Sequence, residues 1–120
     1  MTYDIYPIDK KGKEIPSVMA IHGMAYGAKK FDWAEPYIYS DKILHPSEVK
    51  RMGLEFHKRF VEYCISIRVP ETTEIGSDST GIYYDYSKLN KDSIQKFEVC
   101  LRFLQCYLIA IALGCGLKFA

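Results

Sequence analysis

The sequence predicts an α+β fold, a small antiparallel or mixed sheet packed against two amphipathic helices in the order β-β-(β)-α-β-α, as a single globular domain over residues 1–120. Three observations predict it. Residues 1–40 are rich in aromatic and β-branched side chains punctuated by Gly and Pro; residues 46–67 carry an apolar stripe at helical spacing; and the chain closes on RFLQCYLIAIALGCGLKFA, which holds no charge between Arg102 and Lys118. Hydrophobic residues at 48% and charged residues at 26% are the balance of an ordinary globular chain.

The run TYDIYPI (Thr2 to Ile8) has the propensity of a strand, DKKGK supplies a turn with Gly12 placed for positive φ, and EIPSVMAI (Glu14 to Ile21) returns as the second strand of a hairpin. Pro7 and Pro16 each lack a ladder donor and belong at edges or bulges. HGMAYGAKK reads as a glycine-bearing loop, and EPYIYS (Glu35 to Ser40) as a third strand.

A helix then opens at Pro46, with Glu48 in the first turn where the helix dipole favours a carboxylate. At 100° per residue Val49, Met52, Gly53, Phe56, Phe60, Tyr63, Cys64 and Ile67 share one face, opposite Arg51, Glu55, Lys58 and Glu62. Leu54, Val61 and Ile65 add a second apolar line, which predicts a further neighbour or another chain. Pro70 stops the helix, PETTEIGSDSTG (Pro70 to Gly81) reads as a surface loop, and IYYDYS (Ile82 to Ser87) as a strand. Asn90 and Asp92 compete as caps for the last helix, which runs from Ile94 to a C-terminal cap at Gly114. Ile94, Phe97, Leu101, Leu104 and Leu108 share its first face; from Phe103 onward every face is apolar, so that half is expected to be surrounded. The closing GLKFA adds a short strand or frays.

The uncharged stretch Phe103 to Leu117 is shorter than the roughly 20 apolar residues that span a bilayer, so it predicts a core helix rather than a membrane anchor. Net charge is +1, from 16 basic and 15 acidic side chains, which provides no global field for nucleic acid or anionic lipid. Cys64, Cys100, Cys106 and Cys115 form no CxxC pair, and the amino terminus has no basic and apolar leader, so a reducing, cytoplasmic setting without disulfides is expected.

No catalytic or cofactor motif emerges. His22, His45 and His57 are not brought together by spacing; His57 and Cys64, two helical turns or roughly 10 Å apart, are too distant to share a metal. GSDSTG (Gly76 to Gly81) lacks the lysine of a phosphate loop and leads into a strand, and Cys115 has no histidine placed to activate it. The informative feature is charge asymmetry. Glu71, Glu74, Asp78 and Asp85 stand without Lys or Arg from Val69 to Ser87, beside Tyr83, Tyr84 and Tyr86, whereas residues 10–30 hold Lys10, Lys11, Lys13, Lys29 and Lys30 against Glu14. Tyrosine is enriched at protein interfaces because its ring buries area while its hydroxyl stays bonded. An acidic, tyrosine-flanked segment therefore makes a docking surface for a basic protein.

The opening MTYDIYPIDKKGKEI resembles the start shared by small bacterial and phage proteins, some of them similar to immunity proteins encoded beside polymorphic or contact-dependent toxins. That resemblance implies a cytosolic, non-catalytic protein that occludes a toxin's active site; it carries over no residue, because the group has no common site motif. Inhibitors of basic nuclease toxins are often clearly acidic, and this chain is nearly neutral. The expected function is a binding inhibitor of a cognate toxin with a basic surface, using Glu71, Glu74, Asp78, Tyr83, Tyr84, Asp85 and Tyr86, with no cofactor. The alternatives are a small-ligand or nucleotide-binding protein with His22, Lys29 and Lys30 in the glycine-bearing loop 22–30, and an oligomeric assembly subunit that associates through Leu54, Val61 and Ile65 or through the final helix.

Overall fold

The computed structural model describes residues 2–15, 21–25, 33–68, 73–85 and 90–120. In chain order the elements are β1 (Thr2–Ile8), β2 (Ile21–Ala25), a 3-10 turn (Glu35–Tyr37), β3 (Lys42–Leu44), α1 (Pro46–Ser66), β4 (Thr73–Asp78), β5 (Gly81–Asp85), α2 (Lys91–Leu113) and β6 (Gly116–Phe119). The fold is α+β. Four strands form one antiparallel sheet in the order β2-β1-β6-β3, and β4 and β5 form a separate two-stranded hairpin.

Of the two outcomes expected for the closing residues, GLKF takes the strand rather than fraying, and it lies inside the sheet: Ile5 pairs with Phe119 and Pro7 with Leu117 on one side of β6, while Lys42 pairs with Phe119 and Leu44 with Leu117 on the other. Period-two alternation then sorts the sheet, with Ile5, Pro7, Leu44, Leu117 and Phe119 buried under the helices and Tyr6, Ile43 and Lys118 on the opposite face.

Three expectations are corrected. Of the second strand expected at Glu14 to Ile21, Glu14 makes only an isolated bridge to Ile8 and residues 16–20 lie outside the described residues; β2 occupies Ile21–Ala25, so the first part of the loop expected at 22–30 is strand, and residues 26–30 also lie outside the described residues. The third strand falls at Lys42–Leu44, because Pro36 has no ladder donor and sits at the start of the 3-10 turn that buries Tyr37. Residues 73–78, expected in a surface loop, are strand β4.

Helix α1 starts at Pro46, and Glu48 Oε1 accepts from the His45 backbone N–H at 3.2 Å. It ends before Pro70, at Ser66, where the chain turns through Arg68 at φ +67°. Asn90 wins the cap of α2: its side chain accepts from Asp92 N at 2.8 Å, and Gly114 closes the helix at φ +66°.

The core lies between the sheet and the two helices. Val49, Met52, Phe56 and Phe60 of α1 meet Cys100, Phe103, Leu104, Tyr107 and Ala110 of α2 over Leu117 and Phe119. Tyr107 joins the layers. Its ring lies edge-on to Phe56 at 5.7 Å and 6.0 Å from Phe119, and its hydroxyl donates to the Tyr37 carbonyl at 2.6 Å. The helices approach closely at Gly53, where an added Cβ would lie 2.7 Å from Ile111 Cδ1.

A Cβ at Gly116 would lie 2.8 Å from the Leu44 carbonyl oxygen, a backbone atom that cannot swing aside, whereas at Gly76 nothing lies within 4 Å. Gly116→Ala should therefore destabilise by about 1–3 kcal/mol, while Gly76→Ala should stay within about 0.5 kcal/mol of the parent. Urea unfolding of both variants checks the pair; equal effects would contradict the position of β6.

Candidate functional site

The acidic segment is an arm. β4 and β5 pair with each other, and among the described residues no helix or strand of the body packs against either. Its tip is set by Asp78, whose Oδ1 accepts from Thr80 N at 2.7 Å and from the Thr80 hydroxyl, so the chain reverses within Ser79 and Thr80. The register runs from Thr73 opposite Asp85 to Asp78 opposite Gly81, with an irregularity between Glu74 and Gly76 that leaves Ile75 as the extra residue.

The structure places the seven expected partner-binding residues unevenly. Glu74 and Asp78 are exposed on β4, and Asp85 is half-buried at the end of β5. In the backbone register Tyr84 stands opposite Glu74 and Tyr83 opposite Gly76. Glu71 and Tyr86 lie outside the described residues. Between Thr73 and Asp85 the arm carries three carboxylates and no Lys or Arg. Asp78 also builds the turn, a second role that sequence reasoning missed; Asp-Ser-Thr-Gly between two extended runs was the available signal.

Of the alternative site, His22 is in β2, whereas Lys29 and Lys30 lie outside the described residues. The other two histidines, His45 at the start of α1 and His57 on its surface, are both exposed. Among the described residues no cluster of three or more His, Cys, Asp or Glu side chains is placed to hold a metal ion.

The second apolar line of α1 is solvent-facing: Leu54, Val61 and Ile65 are 52%, 43% and 62% exposed. Half-buried Leu101 and exposed Leu108 and Ala112 of α2 follow the same i, i+7, i+11 spacing. The second half of α2 is thus not fully surrounded, which its uniform apolarity had predicted; Leu108, Ala112 and Leu113 remain exposed. No helix among the described residues is long and apolar enough to cross a membrane.

The cysteines are chemically quiet. All four are free thiols, and burial pushes Cys100 and Cys106 up to about 12. Cys115 is raised by burial and donates to the Ala110 carbonyl at 3.7 Å, so it is held as a thiol rather than an activated nucleophile. Around Tyr37, the hydroxyl donates to Glu55 at 2.6 Å and accepts from Arg59 at 3.4 Å; burial and then the Glu55 carboxylate raise its pKa. This network fastens the 3-10 turn to α1.

The body and its acidic hairpin define a class, an α+β domain with a two-stranded arm. Beyond that class the comparisons are silent: no family model, no curated protein and no solved structure matches the chain.

Because the buried thiols hold their protons more tightly folded than unfolded, their contribution to stability is complete below the unfolded value of about 9 and is lost as the pH rises from there toward 12. The urea midpoint should fall between pH 9 and pH 11, and Cys100→Ala with Cys106→Ala should flatten that fall. A midpoint independent of pH over this range would contradict the burial of both groups.

Proposed function

We propose that this protein is a non-catalytic, cytoplasmic binding protein of bacterial type that neutralises a toxin by inserting its acidic hairpin into a basic cleft. One observation carries the reading: among the described residues no helix or strand of the body packs on the arm, and its Glu74 and Asp78 carboxylates are exposed. An isolated two-stranded hairpin is marginally stable in water, so an arm on which no other described helix or strand packs gains order from whatever it docks against. Carboxylates at the rim of such a contact mainly speed encounter, while one or two aromatic anchors hold it. Tyr84, paired with Glu74, is the anchor position we assign.

The probe is the protein encoded beside this chain's gene, co-expressed and then purified. Growth should be rescued by this chain. Glu74→Lys should slow association about tenfold, with the loss shrinking at high salt, and Tyr84→Ala should speed dissociation about 30-fold. Rescue that survives both substitutions, or no rescue at all, would overturn the proposal.

A second reading, self-association, is favoured by the exposed line Leu54, Val61 and Ile65 on α1 and by exposed Leu108 on α2. Light scattering that gives twice the chain mass, returned to one by Val61→Glu, would establish this reading; a monomer at all concentrations would exclude it.

A further inference from the structure

We propose that the end of the sheet where both helices meet it is a binding site for a small amphipathic carboxylate, its apolar body against Ile43 and Leu113 and its charge beside Lys10 and Lys11. A cleft of about 670 Å³ opens there, within the ~300–1,000 Å³ of small-molecule sites. Three chain junctions build it: the turn after β1, the passage from β3 into α1, and the passage from α2 into β6.

Two features select the ligand. Ile43 and Leu113 are 46% and 52% exposed, yet both line this cleft, above the fully buried Leu44. Large apolar side chains left wet in one cleft favour an apolar occupant that displaces the water against them. The charges are all at one end. Among the described lining residues Lys10 and Lys11 stand with one acid, Asp9, whose Oδ1 accepts from the backbone N–H groups of Lys11 and Lys13 at 2.8 and 3.0 Å. Two lysines against one carboxylate leave that end of the cleft positive, which favours a ligand anion. Cys115 also lines the cleft but is hydrogen-bonded to Ala110, which makes the site one of binding rather than of covalent chemistry.

The test uses sodium decanoate as probe, titrated into the full chain and followed by backbone amide shifts. Saturable shifts at Ile43, His45, Leu113 and Cys115 are expected, with decanol binding about five- to tenfold more weakly. Lys10→Gln with Lys11→Gln should cost decanoate the same factor and leave decanol unchanged. Leu113→Asp and Ile43→Glu, each at an exposed position, should abolish binding without moving the unfolding midpoint. The proposal is overturned by absence of saturation up to the probe's solubility, by equal affinity for decanol and decanoate, or by shifts centred on Leu54, Val61 and Ile65. None of these outcomes depends on the arm, so the toxin-binding proposal and this one fail separately.

Discussion

The sheet is held together by one strand, β6, which pairs with β1 on one side and β3 on the other. These four residues, Gly116–Phe119, therefore join the beginning of the chain to its middle. Because β6 is reached from α2 through Gly114 and Cys115 alone, placing the strand also places the helix, and Tyr107 and Phe119 meet as a consequence. Burying a side chain of this size contributes about 1.5–3 kcal/mol, so Leu117, Phe119 and Tyr107 together rival the net stability of a small domain. The buried hydrogen bond from Tyr107 to the Tyr37 carbonyl adds direction to that contact and brings the 3-10 turn into the same layer.

The helices were legible because each carries both a period and its punctuation. Pro46 with Glu48 opens α1, Gly114 closes α2, and the stripe Val49, Met52, Gly53, Phe56 and Phe60 is the buried face. The strands were less legible for physical reasons. Among the described residues no element of the body packs on β4, so selection for alternating apolar residues is weak and Thr73 to Asp78 looks like a loop. Tyr37 and Ile38 have strand propensity, yet both are buried in and beside a 3-10 turn, where packing on Phe56 decides their place. β6 is only four residues long, too short for a period, and its Gly116 reads as a break although it is required by the close approach of Leu44. The cleft had no local signature at all, since its walls come from residues 8–12, 43–46 and 113–116.

Body and arm answer different demands. In the body every large buried ring has a ring or helix against it: Tyr37 on Phe56, Phe56 on Tyr107, Phe60 near Phe97. The arm has backbone pairing and a side-chain-capped turn but no core of its own. Regions with little buried apolar contact open at low free energy, which suits a segment that completes its packing on a partner. The wet walls Ile43 and Leu113 and the exposed helix line are the other places where the body has apolar surface without an intramolecular use.

Native-state hydrogen exchange tests this division most directly. The account predicts that the amides of Leu117 and Phe119 in β6 and of Phe103 to Ala110 in α2 exchange only through global unfolding, with the free energy measured by urea, whereas β4 and β5 open at several kcal/mol less. Arm amides as protected as those of β6, or β6 amides that exchange before the helices open, would contradict it.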